Sequence, residues 1–245
     1  MTTFTKMTWL EAKLFLREPL TVLFALVLPL MILFVLGGVF GNGFHGGAYR
    51  GVPAIDYYVP AYVALVAASL GLVGLPTHVS SNRERGVLKR YRASAVPAWV
   101  IVGSQVAVTV LISLVSAAIL VSAASLVYDF AAPVSTISVL AAILVTAIAF
   151  ASLGVLLGAI LPTARSAQAL GVMLWFLMVV LGGAGPPPDI FTGVMKAIGD
   201  FTPLRFAIWA VQDGWLDLDP GGAWPIVGGM TILFAGMSIR FFRWE

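Results

Sequence analysis

Long apolar runs dominate this chain and alternate with short polar connections. Each run is long enough for a membrane-spanning helix, which needs about 20 apolar residues. The pattern predicts an all-α membrane protein in which residues 1–245 form a single transmembrane domain. Its six transmembrane helices are expected at residues 20–41, 57–79, 98–127, 136–161, 168–185 and 223–239.

Two segments outside these runs have the pattern of surface helices. A helix over residues 1–19 would separate its basic side chains from its apolar ones, which predicts an amphipathic helix lying along the membrane surface. A cleaved signal peptide is the alternative, but the apolar run that follows is too long for one. Residues 186–222 are broken by prolines yet remain amphipathic, so they predict short re-entrant or interfacial helices before the last span.

Composition excludes several classes of protein. Apolar residues make up 60% of the chain and charged residues 10%, whereas a water-soluble domain has about 25% charged residues. The absence of cysteine excludes disulfides and thiolate metal sites. No Asp, Glu, Lys or Arg falls inside a predicted span, although ion-coupled transporters usually keep such groups at membrane depth. The sequence also lacks a G-x-x-x-x-G-K-[ST] motif, so the chain cannot bind nucleotide phosphates in that way, and any energy from ATP must come from another subunit.

Basic residues are concentrated on alternate connections. With a cytoplasmic N terminus, all seven aspartates lie outside. Of the 14 basic residues, three lie outside, namely Arg50, Lys196 and Arg205. The inside connections then hold Lys6, Lys13, Arg17, Arg83, Arg85, Lys89, Arg90, Arg92, Arg165, Arg240 and Arg243. Because basic segments resist translocation, we expect both termini in the cytoplasm of a bacterial-type cell, with the chain in the inner membrane.

The densest run of charge, residues 82–92, follows the second predicted span. Treated as one helix over 83–92, it places Leu88 and its apolar neighbours opposite Arg85 and Lys89. Such a helix can dock on a partner protein, or it can simply anchor the loop at lipid headgroups. Charge alone favours the headgroup anchor.

The order of these features resembles the type-2 ABC exporter permease family, including its drug-resistance branch. The matching features are the amphipathic N-terminal helix, the kinked first span, Glu84-Arg85-Gly86-x-Leu88 with Pro97 after span two, the turn at 164–168, and Phe201-Thr202-Pro203-Leu204 before the final span. The resemblance implies a permease that pairs with a second permease subunit, identical or paralogous, and with ABC ATPase subunits in the lipid bilayer. We expect no nucleic-acid partner.

The resemblance also implies which residues transmit the action of the ATPase. In that family the N-terminal helix and the loop after span two contact the ATPase, which gives ATPase-coupling roles to Arg17, Glu18, Glu84, Arg85, Gly86 and Leu88. ATP and Mg²⁺ would be used by the partner, so we expect no directly bound cofactor, no metal site and no catalytic residue in this chain.

The cargo is less clearly indicated than the architecture. Spans without charged residues favour a hydrophobic or amphipathic cargo, drug-like or lipid-like, that is moved out of the cytoplasm. A polysaccharide or glycolipid exporter of the same architecture is an alternative, as is a non-ABC membrane channel.

Small and polar residues recur at helical spacing in two spans. In span three the recurring residues lie on one face and either line a transport pathway or allow close helix packing, and packing is favoured. These possible pathway residues are Gln105, Thr109, Ser113 and Ser116. The pairs Gly37/Gly41 and Gly154/Gly158 likewise predict helix contacts.

Overall fold

A computed structural model of the chain describes residues 3–15, 17, 19–40, 48–93, 96–218 and 222–241. This part of the chain contains no strand, and six of its helices are long and apolar enough to cross a membrane. The all-α class with six spans is therefore confirmed. Spans one to six are Leu23–Phe40, Ala54–Glu84, Trp99–Ser125, Thr136–Ile160, Ala164–Leu181 and Ala223–Phe241.

Shorter helices flank and connect the spans. The N-terminal helix comprises Thr3–Phe15, and the turn Pro19–Val22 leads into span one. A loop helix, Val87–Ala93, follows span two. As the proline-broken pattern predicts, short helices separate spans five and six, namely Pro188–Ile190, Gly193–Asp200 and Pro203–Leu216.

Span two forms the centre of the bundle. Every residue from Tyr57 to Pro76 is buried, because spans one, three, four and five and the helix Pro203–Leu216 all pack against this span. Span one, in contrast, buries a single stripe at every fourth residue, consisting of Ala25, Pro29, Leu33 and Gly37. A helix enclosed on all sides is a core helix, whereas one with a single buried stripe leaves its other faces to lipid or to another chain.

Spans one and two each contain a widened, π-helical turn. These turns comprise Leu23–Val27 and Leu70–Gly74. Each lies just before a proline, Pro29 or Pro76, whose ring nitrogen cannot donate the usual hydrogen bond to the carbonyl four residues earlier. Isolated π turns within α-helices are frequent at functional positions, so both spans have a defined point at which they can bend.

Spans four and five approach span two most closely at its π turn. A Cβ atom added at Gly154 would lie 2.1 Å from the carbonyl oxygen of Gly71, and one at Gly171 would lie 2.0 Å from that of Leu72. Gly158 also contacts span two directly. The pair Gly154/Gly158 is thus a helix contact, as predicted, and glycine is required there because a neighbouring backbone occupies the space of a side chain.

Spans two and five differ most from their predicted bounds. Span two continues to Glu84 rather than ending at residue 79, because the polar residues of its last turns have partners in other elements. Ser80, for example, donates to the carbonyl oxygen of Gly158 at 3.0 Å. Span five covers Ala164–Leu181 rather than 168–185, because a capping box formed by Thr163 and Ser166 starts the helix before the apolar run begins.

Three tyrosines at the N-terminal end of span two fasten the loop that follows span five. The hydroxyl groups of Tyr57, Tyr58 and Tyr62 donate to consecutive backbone carbonyls, at 3.1, 2.9 and 2.7 Å respectively. The acceptors lie in the segment 183–185. This ladder satisfies buried polar groups and fixes spans two and five relative to each other.

Candidate functional site

Three parts of the chain that the sequence marks as basic meet at one end of the bundle. The N-terminal helix and the loop helix pack there, beside the turn between spans four and five. This region is termed the basic end. Among the side chains that the structure describes in these segments, the exposed cations are Lys6, Lys13, Arg17, Arg85, Lys89 and Arg165.

Arg83 and Glu84, the last two residues of span two, connect that span to spans four and five. The Arg83 guanidinium donates to the carbonyl of Ala159 at 2.5 Å and also to that of Leu161. The Glu84 carboxylate accepts the backbone N–H of Ala164 at 2.9 Å. A cation at a helix C terminus and an anion at a helix N terminus each satisfy backbone groups that lack intrahelical partners. Span two is therefore bonded to both sides of the turn between spans four and five.

The charged loop contains a sharp break that the sequence did not predict. A single helix over 83–92 is wrong, because span two ends at Glu84 and the loop helix begins only at Val87. Between them Gly86 has a φ of +68°, and its N–H bonds to the carbonyl of Arg83. That left-handed conformation ends the helix and is strained for any residue with a Cβ atom. The break leaves the side chain of Arg85 exposed at the corner.

Leu88 lies beneath the N-terminal helix rather than on the surface. Its side chain is 1% exposed and belongs to an apolar cluster with Met7, Val100 and Ile101. Nearby, the ring of Phe4 stacks on that of Trp99 with centroids 6.3 Å apart. These contacts dock the N-terminal helix on the loop helix and on the start of span three, while Arg17 remains exposed. Glu18, the remaining predicted coupling residue, lies outside the described residues.

A buried acidic residue ties the N-terminal helix to span two. Glu11 is 3% exposed, and its Oε2 atom lies 2.6 Å from Nε2 of His78. The amide group of Asn82, one turn further along span two, lies 3.0 Å from the same ring nitrogen. Sequence reasoning missed this pair. The available signal was the position of Glu11 one helical turn after Met7, on the side of the helix that packs inward.

The four polar residues of span three are all buried within this chain. Gln105, Thr109, Ser113 and Ser116 are at most 5% exposed. The hydroxyl of Thr109 donates to the carbonyl of Gln105 at 2.9 Å, and that of Ser113 to the carbonyl of Thr109 at 2.8 Å. Hydroxyl groups that bond to their own helix in this way permit close helix packing.

An ion pair lies at the opposite end of the bundle. Arg205, which is 7% exposed, donates to Asp200 at 2.5 Å, and its guanidinium lies 4.5 Å from the ring centre of Trp209. Among the described residues, no three His, Cys, Asp or Glu side chains are close enough together to hold a metal ion.

Comparison with known proteins identifies a family. Residues 2–215 match the model of the family described as ABC-2 type transporter. No curated protein matches the chain. The matched segment begins before the N-terminal helix and includes spans one to five, the Arg83–Glu84 connection and most of the helix Pro203–Leu216.

Proposed function

Because this chain belongs to the ABC-2 type transporter family, and so is a transport permease that spans the membrane several times, we propose that it is one subunit of an exporter driven by a separate ABC ATPase. In this proposal a second permease subunit, identical or paralogous, completes the transport unit. The cargo is hydrophobic or amphipathic and leaves the cytoplasm.

The observation that supports this proposal most directly is the pair of bonds made by Arg83 and Glu84. A motor that acts on a membrane protein needs an exposed surface and a stiff connection to helices inside the bilayer. Arg85 supplies an exposed cation at the corner of the loop. The two preceding side chains bond span two to both sides of the turn between spans four and five. A force applied at the corner would therefore reach three spans at once.

The distribution of charge supports a cytoplasmic basic end. Lys6, Lys13, Arg85, Lys89 and Arg165 are all exposed there, and segments rich in lysine and arginine are retained on the cytoplasmic side during insertion. This orientation puts both termini in the cytoplasm and the basic end within reach of a soluble ATPase. A bacterial inner membrane is the corresponding location.

The exposed faces of the spans support an apolar or amphipathic cargo. Spans one and three, whose exposed side chains include Met31, Val35 and Val115, contain no charged residue, so an ionic cargo would find no partner along these helices. A drug-like or lipid-like molecule fits these surroundings. The resemblance to the drug-resistance branch supports the drug-like cargo. A polysaccharide or glycolipid cargo, the alternative, would need polar surfaces supplied by the second subunit.

Purification of the native complex tests the proposal. The tagged chain would be isolated from its own membranes in mild detergent, and co-purifying proteins and ATP hydrolysis would be measured. We expect a stoichiometric ABC ATPase and vanadate-sensitive hydrolysis. A homogeneous assembly that is active in transport without any ATPase would contradict the proposal and favour a channel.

Charge reversal separates coupling from simple anchoring at lipid headgroups. Arg85→Glu is expected to weaken association with the ATPase about tenfold, equivalent to about 1.4 kcal/mol. Arg240→Glu is the matched control, since Arg240 is an exposed cation in the last turn of span six, and should leave association unchanged. Equal effects of both variants would indicate that the loop only contacts headgroups.

A further inference from the structure

The N-terminal helix has one buried acidic side chain, whereas its other charged residues are exposed and basic. Lys6 and Lys13 point away from the bundle, whereas Glu11 is 3% exposed. Burial of an isolated carboxylate is costly, so such groups persist where a partner compensates them. His78 is that partner, at 2.6 Å and 67 residues later in the chain.

This contact reaches a different element from the apolar contacts of Met7. The apolar side chain of Met7 packs in the cluster with Leu88 and Val100, which belong to the loop helix and to span three. Glu11 instead reaches His78 in span two, the helix at the centre of the bundle. Apolar packing tolerates sliding, whereas a hydrogen bond of 2.6 Å between charged or polar groups fixes distance and direction.

The elements joined by this contact lie on the same side of the two π turns. Glu11 precedes the turn Leu23–Val27, and His78 follows the turn Leu70–Gly74. The two turns contact each other, and Trp175 of span five packs at the same level. Its ring lies edge-on to that of Phe24 with centroids 4.9 Å apart, and its Nε1 donates to the hydroxyl of Ser69 at 2.7 Å. The π turns thus define one level at which both spans can bend.

From this arrangement we propose that Glu11 and His78 are a positioning pair that makes the N-terminal helix and the basic-end segment of span two, Leu75–Glu84, move as one unit. When the motor displaces the N-terminal helix, the pair carries the displacement to span two, which bends at its π turn. This inference rests on the proposed function. It adds a connection that acts independently of the loop corner at Arg85.

Distance measurements with spin labels test the proposal directly. The chain contains no cysteine, so the cysteines introduced for labelling are its only thiols, and the unmodified complex labelled in parallel gives the background from thiols of the ATPase. One pair, Lys13→Cys with Ser81→Cys, reports on the N-terminal helix and span two. A reference pair, Lys13→Cys with Arg240→Cys, reports on the N-terminal helix and span six. Both are measured in the complex with its co-purified ATPase, first without nucleotide and then trapped with ATP and vanadate.

The expected results differ between the two label pairs. The reference distance should change by about 2 Å or more on trapping, the upper end of helix shifts at allosteric subunit interfaces, whereas the distance between positions 13 and 81 should stay constant. Glu11→Ala should make the latter distance change on trapping or broaden its distribution. Glu11→Gln, which preserves side-chain shape and so protects folding, should do the same to a smaller extent. Thr8→Ala, which removes a hydroxyl bonded to the Phe4 carbonyl within the N-terminal helix and leaves Glu11 and His78 intact, is the matched control and should behave as the unmodified chain.

Three results would overturn the proposal. The first is a 13–81 distance that changes with nucleotide in the unmodified chain. The second is a 13–81 distance that stays constant in both Glu11 variants, which would mean that the contact between Glu11 and His78 does not hold the two helices together. The third is a reference distance that does not respond to nucleotide. If no ATPase co-purifies, the proposed function itself has failed before any label is read, so the two failures are distinguishable.

Discussion

Replacement of Gly154 by alanine tests the close approach of spans two and four. The added Cβ atom would lie 2.1 Å from the carbonyl oxygen of Gly71 and 3.1 Å from the Cβ atom of Leu75. A backbone oxygen cannot rotate away as a flexible side chain can. The variant must therefore move span four away from the π turn of span two.

The cost can be worked out from two opposing terms. Overpacking of a well-packed core costs about 1–3 kcal/mol, and contact with a fixed backbone atom belongs at the upper end of that range. Alanine in a helix is about 1 kcal/mol more favourable than glycine, which offsets part of this. Gly154→Ala should thus destabilise the chain by about 2 kcal/mol. Gly236→Ala in span six, where a new Cβ atom meets nothing within 4 Å, should be neutral or stabilising by about 1 kcal/mol.

Thermal unfolding of the two purified variants in the same detergent measures this difference. For a chain of this size, 1 kcal/mol corresponds to about 2–4 °C in Tm. Gly154→Ala should therefore unfold about 4–8 °C below the unmodified chain, while Gly236→Ala unfolds at the same temperature or slightly above. Equal Tm values for the two variants would refute the reasoning, because they would mean that Gly154 has room for a side chain.

Further substitutions address other contacts. Tyr62→Phe leaves the Ala184 carbonyl without its 2.7 Å donor and should cost about 1–3 kcal/mol, seen as a lower Tm; an unchanged Tm would argue against the tyrosine ladder. Arg83→Lys keeps the charge but cannot donate to the carbonyls of Ala159 and Leu161 in the same fixed geometry. Limited proteolysis of the turn between spans four and five should therefore be faster in this variant, and an unchanged cleavage rate would contradict the role given to the two Arg83 hydrogen bonds. Finally, Lys89→Cys should react with an impermeant maleimide only in inverted vesicles and Asp129→Cys only in intact cells, and the opposite pattern would reverse the proposed orientation.

The features that could be predicted from the sequence are those that depend on local composition. A run of about 20 apolar residues identifies a membrane helix whatever surrounds it, so the six spans were predicted with only small errors at their ends. The same rule could not identify span two as the central helix. A helix surrounded by lipid and a helix surrounded by other apolar helices have the same apolar pattern. They differ only in their neighbours, which the pattern of a single helix does not record.

The contacts at the basic end escaped prediction for a related reason. Glu84 was expected to act at an exposed surface, and sequence gave no indication that it also accepts the N–H of Ala164, 80 residues later. Glu11 and His78 were not connected because neither residue has a recognisable motif around it. Hydrogen bonds between distant segments become visible only when the helices are packed, whereas the left-handed conformation of Gly86 could have been anticipated from the glycine within the charged loop.

The tyrosine ladder has a consequence for how the chain is made. The hydroxyl groups of Tyr57, Tyr58 and Tyr62 find their acceptors 122 to 127 residues later, in a loop that the ribosome synthesises only after span five. Until then the three hydroxyl groups lack their native acceptors, so a chain that ends after span four leaves this end of span two without the bonds that hold it in the complete protein.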